Sequence, residues 1–311
     1  METNLLDEVL DCLSEERRIM HYFKDKYAFF LLRTLLENQP NIKISELKNG
    51  PFANLLNKQL VKQLLAGCGN GLIDRNHLDS VFADEFESFV ITLSEWGNKQ
   101  DYSWSQISRP GKNLVDQLNF TGEHDQFMKN LAIDSNAFKY FSHPIHSHKN
   151  SVAWARIDFD FGTGEALIEE VQNDWLRKAN NHRRWSKGRL SLGRSFYYHD
   201  GFRVNASNML EYTENIIKRY SKLWSETMLF TTVQFIKKEL GISKIFYHTV
   251  ETAKVLKDLN HCFPPVSLYT DLPRKFCFKE IEHAPDFLLN EKSIKRRIKL
   301  VKKEKWFYLE V

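Results

Sequence analysis

The sequence predicts an α/β or α+β protein, a mixed β-sheet with packed helices, preceded by an all-helical N-terminal domain. Three observations predict it. Up to about residue 96, apolar residues recur at three-to-four spacing, as in Ile19, Tyr22, Phe23, Tyr27, Phe30, Leu31 and Leu35. After residue 150 the period becomes two, with Ala153, Ala155, Ile157, Phe159 and Phe161 alternating with Trp154, Arg156, Asp158 and Asp160. Beyond that, helix-like and strand-like stretches follow one another to the C-terminal region.

At 311 residues the chain is long enough for two ordinary domains. The division falls at residues 1–100, helical, and 111–311, the mixed-sheet part, with the polar stretch 97–110 as linker. Within the first part, helices break at Pro40, at Gly50-Pro51 and at Gly69 to Gly71. One helix is expected over 123–131. A strand over 151–161 leads through Gly162-Thr163-Gly164, a hairpin signal, into a second strand, so the two pair antiparallel. A long helical stretch, one helix or two, runs from an Asn205 cap to Leu240, with Gly241 at the C′ position. Residues 243–249 read as a strand and 250–259 as a short helix. After the Pro264-Pro265 turn, 266–269 and 276–281 are expected to form a last pair of strands.

Hydrophobic residues make up 42% and charged residues 27%, which excludes a disordered chain, and 23 Phe make the core aromatic. No apolar run reaches the roughly 18 to 20 residues that cross a bilayer, and the acidic, amphipathic start is unlike a signal peptide. A cytoplasmic protein without a membrane partner is expected. Cys12, Cys68, Cys262 and Cys277 lack any C-x-x-C spacing and are expected as reduced thiols. The net charge of +4 is too small to imply a nucleic-acid partner by itself. Its distribution is uneven, however. Arg177, Lys178, Arg183, Arg184, Lys187, Arg189 and Arg194 fall in one segment, and Lys292, Lys295, Arg296, Arg297, Lys299, Lys302, Lys303 and Lys305 in another. Each is either a solvated face or a grip on phosphates. Of these, Arg183, Arg184, Lys187, Arg189, Arg194, Arg296 and Arg297 are the candidate nucleic-acid contacts.

The stretch L-I-E-E-V-Q-N-D-W, 167–175, starts as a buried strand and ends in polar groups. A strict period of two puts Ile168, Glu170, Gln172 and Asp174 on one face, and Leu167, Glu169, Val171 and Trp175 on the other. A hairpin loop over 161–165 would set Arg156 opposite Glu170, Asp158 opposite Ile168 and Trp154 opposite Gln172. Asp158 is then one diagonal step from Glu170, roughly 7 Å at the Cβ atoms, within joint reach of one divalent ion such as Mg²⁺, while Asp160 drops out. The same register also allows a plain Arg156–Glu170 ion pair. Upstream, H-P-I-H-S-H places His143, His146 and His148 together, either as donors to zinc, iron or copper or as a polar loop. His248 ends a later strand and precedes Glu251. The run Lys187 to Arg194, basic and interrupted by Gly188 and Gly193, reads as a loop able to cradle a phosphate. No G-x-G-x-x-G, P-loop, G-x-S-x-G or H-E-x-x-H pattern is present.

An acidic residue, a hairpin and then Glu-x-Gln resembles the PD-(D/E)xK nuclease pattern, which implies carboxylates holding Mg²⁺ and a polar group orienting the attacking water. The run from His148 to Arg156, with D-F-D-F-G-T-G-E-A-L-I-E-E-V-Q-N-D-W after it, also resembles a group of phage and mobile-element proteins marked by an E-[IV]-Q-S-D-W strand. Asn173 stands where that group has Ser, and Val250 where it has Gly. This likeness implies that His148, Arg156, Glu170, Gln172, Asp174, Trp175 and Glu251 converge. The order of elements over 205–281 looks like the second half of a GNAT acetyltransferase, which would imply coenzyme A, although no R-G-x-G-type loop follows the candidate strand.

Three expectations follow. The first is a metal-dependent nuclease or related phosphodiester-acting enzyme of a mobile-element or phage-conflict setting, with Asp158 and Glu170 as metal ligands and Gln172 positioning water. The second is a GNAT-like acyltransferase. The third is a non-catalytic nucleic-acid- or protein-binding module.

Overall fold

The structure, a computed structural model, describes residues 1, 3–13, 18–81, 83–97, 106–146, 148–259 and 264–311, without the side chains of residues 3, 4 and 202. Most of the expected linker, and Cys262, lie outside the described residues.

The N-terminal part is not all-helical. Helices α1 (Thr3–Leu13), α2 (Lys26–Leu35), α3 (Ile44–Asn49), α4 (Gln59–Gly67) and α5 (Arg75–Asp79) alternate with strands β1 (Arg18–Tyr22), β2 (Asn41–Lys43), β3 (Leu72–Asp74) and β4 (Glu87–Trp96). Strands β2 and β3 form a small sheet of their own, whereas β1 and β4 join the main one. In E-S-F-V-I-T-L-S-E-W the β-branched and aromatic residues favour extended backbone over the helix read from spacing.

After β5 (Asn113–Asn119) and α6 (Gly122–Asn130) come the expected hairpin strands, β6 (Ser151–Asp160) and β7 (Glu165–Gln172). The chain then leaves the sheet through α7 (Asp174–Ser191), a hairpin of β8 (Phe196–His199) and β9 (Phe202–Asn205), α8 (Ala206–Tyr220) and α9 (Trp224–Lys238). It returns as β10 (Lys244–His248), followed by α10 (Val250–Leu256), α11 (Asp271–Lys275), β11 (Lys279–Ile281), α12 (Asp286–Leu289), α13 (Lys292–Ile298) and β12 (Trp306–Glu310). Gly241 turns the chain into β10 at a φ of 66°, the left-handed conformation expected for it. The expected strand over 266–269 is a 3₁₀ turn, and the partner of β11 is β12 instead.

The eight-stranded sheet runs β1-β4-β5-β6-β7-β10-β12-β11. Its pairings are antiparallel except β7 with β10, which are parallel because the helical crossover returns the chain to the same end of the sheet. One apolar core, on the face of Ala155, Ile157, Phe159, Ile168 and Tyr247, extends from Met1 to Leu309. Residues from both expected domains share it. A second core, around Leu167, Phe246, Phe287, Ile294 and Trp306, covers the opposite face. Buried Glu226 of α9 ties the parts together, accepting from Tyr22 Oη at 2.7 Å and from the Asp25 amide at 2.5 Å and pairing with Lys275.

Candidate functional site

The polar face of β6 and β7 is organised by a β-bulge that strict alternation does not predict. Arg156 pairs with Glu170 and Trp154 with Gln172, as expected, but Ile157 pairs with Ile168 and Asp158 with Leu167 rather than Ile168. The extra residue is Glu169. The bulge resets the phase of β7, so Glu169, expected with Val171, joins Glu170 on the polar side. Both carboxylates are fully buried.

Two buried carboxylates side by side require compensating charge. Glu170 pairs with Arg156 and, at 2.9 Å, with Lys257 of the segment after α10, and it accepts a hydrogen bond from Gln172. Lys257 also donates to the Glu169 carbonyl at 3.0 Å and to Tyr269 Oη at 3.3 Å. Burial by itself would raise the Glu170 carboxyl, but the charges of Lys257 and Arg156 outweigh it and hold it down at about 2. Arg156 in turn donates to the Gln106 carbonyl at 2.9 Å, and its guanidinium is 5.9 Å from the ring centres of both Trp96 and Trp154.

Glu169 accepts from the Ser108 amide at 3.0 Å, from Ser108 Oγ at 2.8 Å and from His248 Nε2 at 3.1 Å. Burial would raise the Glu169 carboxyl, but His248 and the charges of Lys257 and Arg156 outweigh it and hold it, too, at about 2. Burial lowers the His248 imidazole below its ordinary value despite the opposing pull of Glu169. Its Nε2 carries a proton, because the Glu169 carboxylate it faces can only accept, while Nδ1 lies 3.1 Å from Thr252 Oγ1. Ser108, His248 and Glu169 thus have the composition of a hydrolytic triad without its wiring. A triad uses both imidazole nitrogens, one for the nucleophile and one for the carboxylate. Here Ser108 and Glu169 both approach Nε2, the serine hydroxyl donates to Glu169, and all three side chains are inaccessible. Parallel pairing of β7 with β10 ends at Ile168 and Tyr247, immediately before this group, which bridges the strand ends with side chains.

Asp158 belongs to a separate cluster. Arg109 grips it in a fork, Nε to Oδ2 at 2.6 Å and Nη2 to Oδ1 at 3.0 Å, and the Met1 amine lies 3.2 Å from Oδ1. Asp158 and Glu170, expected to share one divalent ion, are thus each buried against two cations in clusters of their own. Among the described residues no group of three His, Cys, Asp or Glu side chains is placed to hold one.

The remaining expected residues disperse. Asp174 opens α7 instead of continuing β7; it accepts from His143 Nδ1 at 2.7 Å, Trp154 Nε1 at 3.2 Å and Arg177 at 2.7 Å. Trp175 is buried and donates to Tyr212 Oη at 2.8 Å. His146 Nδ1 accepts the amides of His148 and Lys149, the geometry of a polar loop, and the exposed His148 stands apart from the buried carboxylates. Exposed Glu251 lines a cleft of about 240 Å³ at the end of β10, with Thr249, Tyr269, Arg274, Lys303 and Lys305. Asn173 caps α7 through the Leu176 amide at 2.7 Å, and Asp174 puts a carboxylate in its first turn.

The basic segments are also redefined. Residues 187–191, expected as loop, are the last turn of α7. That helix buries Trp175, Leu176, Ala179, His182 and Ser186 and exposes Arg177, Arg184 and Lys187, with Arg183 and Arg189 half-buried at its flanks and Arg194 exposed beyond its end. Lys187 pairs with Glu214 at 2.7 Å, and Arg183 donates to Asn180. In α13, Arg296 is exposed, but Arg297 donates to the carbonyls of Val255 and Leu256 at 2.8 and 2.7 Å and so closes the end of α10. Helix α7 packs into the first core and α13 into the second, so the two basic segments lie on opposite faces of the sheet.

Sequence reasoning missed Ser108, Arg109, Glu169 and Lys257. The legible signal was Glu169-Glu170 itself: two adjacent acidic residues in an otherwise apolar strand cannot both be buried on opposite faces without separate partners. Among the described residues no helix is long and apolar enough to cross a membrane. Compared with known proteins, the chain matches no family model, no curated protein and no solved structure.

Proposed function

We propose that the chain is a nucleic-acid-binding module whose contact surface is the outer face of α7 and the segment that follows it. The observation that carries this reading is the asymmetry of α7, in which Arg177, Arg184 and Lys187 share one exposed stripe, flanked by Arg183 and Arg189 and continued by Arg194. Asp174 is the one acidic residue in this helix; it is buried at the first turn and pairs with Arg177 at 2.7 Å. Such a stripe supports phosphate contact through counterion release, which needs exposed, closely spaced cations and no particular sequence. In this reading the buried charges around Glu169 and Glu170 fix the hairpin and the β7–β10 junction, and carry out no reaction. Their burial and full pairing support that role over hydrolysis, since a nuclease needs its carboxylates open to metal, water and phosphodiester.

The test is titration of a labelled oligonucleotide, DNA and RNA, at several salt concentrations. Binding should weaken steeply as salt rises, and Arg184→Ala with Arg194→Ala should weaken it further with the melting temperature unchanged. Absence of binding to either polymer at low salt would remove this reading. Metal-dependent cleavage that is lost in Glu170→Gln would restore the nuclease.

A further inference from the structure

The hairpin after α7 has two unlike faces. Tyr197 and Val204 point inward and are buried, and Tyr197 Oη bonds His182 Nδ1 of α7 at 2.8 Å. Phe196, Tyr198 and Arg203 occupy the outward face, since side chains alternate along each strand and Tyr198 stands directly opposite Arg203. Tyr198 is 77% exposed and Phe196 42%, and just before them Leu192 is 67% exposed. The Arg203 guanidinium sits 4.0 Å from the centre of the Phe196 ring. Two aromatic rings held outward on a hairpin whose other face is pinned to the core are neither accidental exposure nor a loose loop.

We propose that this face is a stacking platform for single-stranded nucleic acid, continuous with the cationic stripe of α7. The inference rests on the preceding reading of α7 as a phosphate-binding surface and adds what part of the polymer the neighbouring hairpin takes. The rings of Tyr198 and Phe196 and the planar Arg203 offer π and cation–π surfaces, which suit the faces of unpaired bases. In a duplex those faces are already stacked on one another and out of reach. Arg194, between the helix and the hairpin, and Arg184, about two turns before the helix end, supply the charge that follows the backbone. The acidic groups nearby are Glu214, held by Lys187, and Asp200, 3.3 Å from His199 Nε2. Neither belongs to the outward set of Phe196, Tyr198 and Arg203.

The experiment compares an unstructured oligonucleotide, such as a thymidine 20-mer, with a duplex of the same length, using wild type, Tyr198→Ala, Tyr198→Trp and Arg184→Ala. The single strand should bind more tightly than the duplex. Tyr198→Ala should weaken single-strand binding about tenfold with an unchanged salt slope, and Tyr198→Trp should retain it, because a base stacks on either aromatic ring but not on a methyl group. Arg184→Ala should instead reduce the salt slope on both polymers. Equal affinity for the two polymers, or a Tyr198→Ala variant that binds like wild type, overturns the platform while leaving the phosphate-binding surface standing. Loss of self-association in Tyr198→Ala with no change in nucleic-acid binding overturns it in favour of a contact between copies of this chain. Absence of binding to both polymers removes the platform together with the reading on which it rests.

Discussion

Glu170, a candidate catalytic residue in the sequence, is buried and doubly paired in the fold. Its charge is held by Arg156 and Lys257, so removing one partner leaves the remainder of the cluster unbalanced in a medium that solvates it poorly. Lys257→Ala should cost roughly 3 kcal/mol in a denaturant titration, and Lys257→Met combined with Glu170→Gln should recover a large part of that loss, since the two positions are coupled. Additive losses from the two sites would contradict the pairing. Buried Asp116 on β5 behaves oppositely. Among the described residues it has no cation and receives only the Thr232 hydroxyl, at 3.2 Å, and burial pushes its carboxyl up to about 7 from an ordinary 3.8. The native state therefore keeps a proton that the unfolded chain has lost between about pH 4 and 7. Its contribution to stability is full below pH 4 and declines as pH rises to 7, by up to roughly 4 kcal/mol. Asp116→Asn should melt higher than wild type at pH 8, with the difference vanishing near pH 4; a constant difference across that range would rule out the titration. Glu169 and Glu170, held at about 2, lose their contribution only as pH falls from 4.5 through 2. The carboxylates around the bulge and the one on β5 thus act in separate pH windows.

At the scale of elements, the hairpin β6–β7 was legible because period-two alternation and a Gly-Thr-Gly turn are local signals. The bulge was not, because whether Glu169 is absorbed as an extra residue is decided by Ser108 and His248, which approach from distant parts of the chain. Strand β5 was hidden for a related reason: Asn113, Asp116, Gln117 and Asn119 are all buried, so its polarity pattern does not report its environment. Helix α7 was obscured by its arginines and glycine, although Asn173 is an ordinary N-cap. The bulge makes an element-scale prediction. Deleting Glu169 should leave the pairings on both sides in register, because Glu170 stays opposite Arg156 and Ile168 opposite Ile157. Deleting Val171 should prevent folding, because every residue on one side of it would change face. Circular dichroism melts of the two deletions check this, and equal behaviour would contradict the assignment of the extra residue.

For the whole molecule, the mixed sheet was legible from the change of period and the alternation of elements, and the membership of β1 and β4 in that sheet was not. A division into two domains was suggested by length and by a polar stretch, yet a continuous core from Met1 to Leu309 depends on contacts that no local pattern encodes. The same sheet separates the basic segments, with α7 on one face and α13 on the other, so that a single short oligonucleotide on α7 has no reason to depend on Arg296. In the proposed reading the charged centre holds the frame and the cationic helix meets the nucleic acid. The most direct test is the slope of log affinity against log salt concentration for a double-stranded oligonucleotide, measured for wild type and for Arg184→Ala/Arg189→Ala/Arg194→Ala. A steep negative slope is predicted, shallower by about two to three in the triple variant, because each phosphate contact contributes about 0.9. A flat slope, or the same slope in both proteins, would contradict α7 as the binding surface.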